Sequence, residues 1–223
     1  MFQLCYSADM INEPSHECPP TIFADNRMII FEKPTGLLSV PGIGPEKADC
    51  LAARAERAYP GARIVHRLDR DTSGLIVMAR DADAHRELSR QFQDREVDKN
   101  YEAVVGGLVA IDEGTIDAPI RKDMDNPPRQ LIDDVHGRPS VTHWEVIERQ
   151  GDRTRLKLHP ITGRSHQLRL HLLSIGHPIL GDDLYAPEDL RDAATRLMLH
   201  ATLLGLKHPT DGKLLVFESP CPF

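Results

Sequence analysis

Five apolar residues in a row, Leu75-Ile76-Val77-Met78-Ala79, follow directly on a polar nonapeptide, His66-Arg67-Leu68-Asp69-Arg70-Asp71-Thr72-Ser73-Gly74. A shorter apolar piece, Arg63-Ile64-Val65, precedes it. An apolar run bounded by turn residues reads as a buried strand, so the nonapeptide is a loop pinned between ordered segments. Loops held by rigid flanks are where chemistry is usually placed. This one gathers a histidine, two arginines and two aspartates between His66 and Asp71.

The chain's 223 residues suffice for one large domain or two small ones, each able to bury a core. No stretch approaches the ~18 apolar residues of a membrane span. The start, Met1-Phe2-Gln3-Leu4-Cys5-Tyr6, lacks the basic and then apolar regions of a secretory signal. Cys5, Cys18, Cys50 and Cys221 form no CxxC pair and no zinc spacing, so free thiols in a reducing compartment, the cytoplasm, are expected. A net charge of −7 argues mildly against a nucleic-acid partner. Local distribution matters more than the sum, because phosphate is met by a patch. From Arg153 to Gly181 there is no acidic residue, while Arg153, Arg155, Lys157, Arg164 and Arg169 fall within that window. It reads as one basic stripe.

Residues 1–20 carry Pro14, Pro19 and Pro20 without periodicity and read as a loose arm. No linker or repeat divides residues 21–223, which are taken as one domain. A strand is expected over Arg27–Lys33, closed by the turn Lys33-Pro34-Thr35-Gly36. The lone Gly-x-Gly of Pro41-Gly42-Ile43-Gly44-Pro45 is no dinucleotide fingerprint. Pro45 should open a helix with Ala48, Leu51, Ala52, Ala55 and Tyr59 on one face, stopped by Pro60-Gly61. Asp81 caps a second helix through Ala84, Leu88 and Phe92. Strands are expected over Asn100–Gly107, Gly114–Ile120, Val141–Arg149 and Arg153–His159, with a tight hairpin at Gln150-Gly151-Asp152. Lys122–Pro139 is an exposed excursion. A third helix should run from a Ser165 cap through Leu168, Leu172 and Ile175 to Gly176. A short helix within residues 187–197 and a strand over Leu214–Glu218 complete an α+β fold with mostly antiparallel pairing.

Three residues stand out chemically. Asp69 sits in the tight polar loop, where its bland role is an Asx turn and its sharper one a nucleophile or base. Arg169, beside the buried stripe of the third helix, would need a carboxylate or phosphate partner if drawn inward. Tyr101 shares a strand face with Ala103 and Val105 and is otherwise a core aromatic. His166 and His171, five apart, do not suit one metal, and no zinc-deaminase ligand set is present. From residue type alone a hydrolase using Asp69 with His66 or His166 stays open.

The nonapeptide resembles the HRLDxxTSG signature of the RluA-type pseudouridine synthases. Gly163-Arg164-Ser165-His166-Gln167-Leu168-Arg169-Leu170-His171 resembles the same family's GR[ST]HQ[IL]R[VL]H motif. Lys33-Pro34-Thr35-Gly36-Leu37-Leu38, Gly176-His177-Pro178-Ile179-Leu180-Gly181-Asp182 and Leu199-His200-Ala201 are also similar, in the family's order. The resemblance implies a pseudouridine-synthase catalytic domain in the branch without an S4 RNA-binding domain. It would act on uridines of a 23S rRNA hairpin or a tRNA anticodon loop, without metal or nucleotide cofactor and as a monomer. It makes Asp69 the catalytic carboxylate, Tyr101 the tyrosine against the uracil ring and Arg169 the arginine paired with that carboxylate. Arg67 would fill the gap left by a flipped nucleotide. Arg70, Arg164, His166 and Lys157 complete the expected RNA contacts.

Overall fold

The computed structural model describes residues 17–223, so most of the expected N-terminal arm lies outside the described residues. In chain order the elements are β1 (Thr21–Ala24), β2 (Met28–Lys33), α1 (Leu51–Ala58), β3 (Arg63–Ile64), β4 (Ser73–Ala79) and α2 (Ala82–Gln93). Then come β5 (Asp98–Gly106), β6 (Glu113–Asp117), β7 (Ile120–Lys122), β8 (Gln130–Ile132), β9 (Val141–Gln150) and β10 (Arg153–Pro160). The last are α3 (Gln167–Ser174), α4 (Glu188–Asp192), β11 (Leu199–Lys207) and β12 (Leu214–Glu218). Ten strands form one sheet in the order β1-β2-β4-β11-β5-β10-β9-β6, with β3 on β4 and β12 on β11. β7 and β8 pair separately.

All seven residues of β4 are buried, because both of its faces are covered. Leu75, Val77 and Ala79 pack with Ala84 and Leu88 of α2. Ile76 and Met78 point the other way, onto Leu51 and Ala55 of α1 and Leu68 of the polar loop. β2 alternates likewise, Met28 and Ile30 against Ile29 and Phe31. Each such side chain contributes about 1.5–3 kcal/mol. In the other half of the sheet, Ala103, Val105, Leu156 and Leu158 meet Leu168 and Leu172 of α3.

One pairing in the large sheet is parallel, and it positions the loop. β4 and β11 join at Ser73 opposite His200 and Gly74 opposite Ala201. Gly74 has φ +108°, and a Cβ there would lie 2.3 Å from the Ala201 carbonyl oxygen, so only glycine permits the approach. Ala201 in turn pairs with Tyr101 of β5. The polar loop is thereby set one strand away from that tyrosine.

Three expectations need correction. Pro45–Lys47 forms a single 3₁₀ turn, and α1 begins only at Leu51, where the Cys50 thiol accepts from Ala53 N–H. Ala48 is exposed, so no apolar face holds the earlier turn in a helix. The stretch 114–120 divides into β6 and β7 around Pro119, which has no N–H for a ladder. α3 starts at Gln167, not at a Ser165 cap: the Gln167 Oε1 accepts from Arg164 N–H and the Thr162 hydroxyl, and His166 turns into the left-handed region at φ 55°.

Candidate active site

The polar loop is gripped by its backbone. Ser39 Oγ donates to Leu68 O at 2.7 Å and accepts from Leu68 N–H. Lys33 Nζ donates to Arg70 O at 2.8 Å and to Pro34 and Leu37 carbonyls, while Thr35 Oγ1 donates to Asp71 O. His66, which opens the loop, stacks on Phe92 with centroids 4.3 Å apart, and its Nε2 accepts from Val77 N–H. That bond places the ring proton on Nδ1. Burial, helped by the charge of Lys99, lowers the His66 pKa to about 3. A neutral imidazole committed to a backbone N–H is no general base, which removes the His66 version of the hydrolase alternative.

Asp69 is thus presented half-buried on a fixed turn, with no hydrogen bond or ion pair to any described residue. It lines an open cleft of about 2230 Å³ together with Tyr101, Lys99, Arg67, Arg164, His166 and Arg169. Burial, and then the Asp69 charge, push the Tyr101 phenol well above its usual range, so it keeps its proton at neutral pH. Arg169 is only 3% exposed and its expected partner is not the one observed. Its guanidinium holds Asp182, itself 1% exposed, through Nε at 2.8 Å and through Nη2, and reaches Asp183 at 2.9 Å. A guanidinium this deeply buried needs a carboxylate at full contact, and Asp182 supplies it. Burial opposes the charge, but the bonded Asp182, with Asp69 at longer range and the contacting Asp183, outweighs it and raises the Arg169 pKa. Nη1 has no hydrogen-bond partner among the described residues. Arg169 acts on Asp69 through the field and is tied to the loop indirectly: Asp183 bridges it to Arg70 at 3.1 Å.

The sequence profile of the RNA pseudouridylate synthase family matches residues 27–174. The chain belongs to that family. The dual-specificity RNA pseudouridine synthase RluA of Escherichia coli strain K12 is 46% identical over 213 residues, 95% of this chain and 97% of the relative. Its namesake in Yersinia pestis is 47% identical over 203 residues, 91% of this chain and 98% of the relative. The structure of human RNA pseudouridylate synthase domain containing 1 is 28% identical, with a TM-score of 0.79 over 96% of this chain and 87% of that one. Human RNA pseudouridylate synthase domain containing 4 shares the fold, at a TM-score of 0.71 and 24% identity over 91% of this chain and 88% of that one.

In this pseudouridylate synthase the basic stripe is not one face. Strand alternation sends Arg153, Arg155 and Lys157 to the side of β10 opposite its buried Leu156 and Leu158. There Arg155 pairs with Glu102, and Lys157 pairs with Glu145 at 3.0 Å in a groove separate from the cleft. Arg164 and His166 do reach the cleft, and Arg67 is exposed in it. Arg70 lines it too but is engaged by Asp71 and Asp183. Arg164 carries a pKa lowered by burial and by the neighbouring charges of Arg138 and Arg95, a crowd of cations suited to an anionic ligand. Among the described residues no group of His, Cys, Asp and Glu is arranged to hold a metal ion, and no helix is long and apolar enough to cross a membrane.

Sequence reasoning missed Lys99, Asp182, Asp183, Tyr185 and the clamp formed by Lys33, Thr35 and Ser39. Lys33 and Asp182 lie within quoted motifs, but nothing in a linear pattern says which carbonyls or guanidinium they meet. The Lys33 pKa is pushed down to about 7 by burial, against the pull of Asp71 and Asp69. Lys33→Met strips donors from three carbonyls, offset in part by relief of a buried charge. The expected loss is about 3 kcal/mol in urea unfolding, with the m-value unchanged.

His66 adds an acid-sensitive contribution. The unfolded ring takes its proton near 6.5 and the folded one near 3, so between those values the unfolded chain binds more protons. Stability therefore rises with pH over that window and is lost as pH falls. The loss is about 1.4 kcal/mol per pH unit at most. His66→Gln, whose amide oxygen can accept from Val77 N–H, should flatten the difference between melts at pH 4.5 and 7 while sparing isomerisation. An equal slope in both proteins would rule the contribution out.

Proposed function

We propose that this family member isomerises specific uridines to pseudouridine in structured RNA, namely a 23S rRNA hairpin and a tRNA anticodon stem-loop. It works in the cytoplasm as a monomer without a metal or nucleotide cofactor. The observation that carries the assignment of roles is the Asp69 carboxylate: without a hydrogen-bond or ion-pair partner among the described residues, held on a clamped turn, and open to the cleft beside Tyr101 and Arg169.

The reaction breaks the N1–C1′ bond, turns the uracil and rejoins it to C1′ through C5, whose hydrogen leaves as a proton. No net redox change occurs. Attack on the sugar, attack on the base and removal of a sugar proton each require an ionised carboxylate without a competing partner. Tyr101 presents an apolar ring to the uracil and a phenol that keeps its proton. The target base must leave its stack, at a cost of about a few kcal/mol. Arg67, planar, cationic and exposed at the loop, can occupy the vacated space and offset part of that cost.

Incubation with a stem-loop carrying tritium at uridine C5 gives the test. Stoichiometric release of tritium, with pseudouridine at a single position, is the expected result. Tight binding without release would overturn the enzymatic reading. Carbodiimide-dependent reverse-transcription stops that vanish in a deletion strain would identify the uridines.

A further inference from the structure

Residues 120–138 form an arm built on the β7–β8 pair, and its Lys122, Pro127, Pro128 and Gln130 line the cleft. The arm is closed on itself at its base, where Ile120 and Arg138 exchange backbone hydrogen bonds. Among the described residues, every hydrogen bond of residues 122–132 stays within the arm except one. Gln130 N–H donates to the Tyr185 hydroxyl at 2.8 Å. Arg129 adds a second tie to the same side chain, its guanidinium 5.9 Å from the ring centroid.

Tyr185 meets the catalytic side as well. Its ring lies under the Arg169 guanidinium at 5.2 Å, and its own N–H is held by Asp182, the carboxylate that carries Arg169. Its hydroxyl also bonds His166 Nδ1 at 2.7 Å, at the start of α3. One side chain thus hydrogen-bonds the arm through its oxygen and carries Arg169, with Arg129 of the arm, on its ring. We propose that Tyr185 is a positioning residue for RNA isomerisation, its hydroxyl latching the arm over the bound RNA and its ring holding Arg169 in register with Asp69. This rests on the function proposed above and adds a residue and a role to it.

The two halves of the side chain can be separated. Tyr185→Phe keeps the ring and deletes the latch. It should raise KM for a stem-loop substrate about ten-fold, the worth of one hydrogen bond, with kcat within two-fold. Gln130→Pro removes the same bond from the arm's side by deleting the N–H. It should raise KM similarly, and the double variant should be no worse than either single one. Tyr185→Leu removes the ring and should lower kcat at least ten-fold in addition. Thermal melts of each variant report folding. Should Tyr185→Leu fail to fold, the Phe and Pro variants still decide the matter. An unmoved KM in both, a fall confined to kcat, or fully additive KM effects would overturn the inference. The wild-type tritium release measured alongside separates this from failure of the function itself: no release by wild type defeats the function, whereas release with an unmoved KM defeats the latch alone.

Discussion

Asp69→Asn is expected to abolish pseudouridine formation while leaving RNA affinity within a few-fold of wild type. The substitution changes two atoms' chemistry and little else. Asn has the volume of Asp, and the turn that presents it is fixed by bonds from Ser39, Lys33 and Thr35 to neighbouring carbonyls, none of which involves the Asp69 side chain. Since no described residue pairs with the carboxylate, its loss leaves no orphaned cation at full contact and should cost little stability. What is lost is the carboxylate that acts as nucleophile or base. Single-turnover assays with excess enzyme, together with filter binding, separate the two quantities. Near wild-type turnover in Asp69→Asn would refute the assignment, and a hundred-fold loss of affinity would show the carboxylate is needed for docking instead.

Raising salt from 50 to 200 mM should weaken RNA binding on the order of a thousand-fold, as about six phosphate contacts require. The cations that matter are those facing the cleft, among them Lys47, Arg67, Arg95, Lys99, Lys122 and Arg164. They come from five separate stretches of a chain whose net charge is −7, so the anion is met locally against an opposing overall field. Arg164→Glu should shallow the plot of log K against log salt by about one unit or more. Lys157→Glu, on the opposite side of β10, should leave it unchanged. A flat response in wild type, or equal effects from the two variants, would sink the cleft as the docking face.

How far the sequence could lead depended on whether a feature was local. The α2 cap at Asp81, the buried strand after the polar loop and the hairpin at Gly151-Asp152 are short-range patterns, and each is found where periodicity and turn chemistry put it. The motifs brought Asp69, Tyr101 and Arg169 to one cleft. The partner of Arg169 was not legible, because a choice among Asp69, Asp182 and Asp183 depends on burial that only packing decides. The basic stripe failed for a related reason. Strand alternation and a helix turn send residues adjacent in sequence to different sides, so a window free of acids does not become a surface. β11 was quoted only as the motif Leu199-His200-Ala201, although it lies at the centre of the sheet. Being covered on both faces, it shows no alternation to betray it.

The parallel seam between β4 and β11 also sets a timetable. Ser73 and His200, bonded at 2.7 Å, are 127 positions apart. The loop therefore acquires its second wall only after residue 200 has left the ribosome, and closing so long a loop is entropically slow. A chain that ends before Leu199 lacks that wall and should release no tritium from the stem-loop.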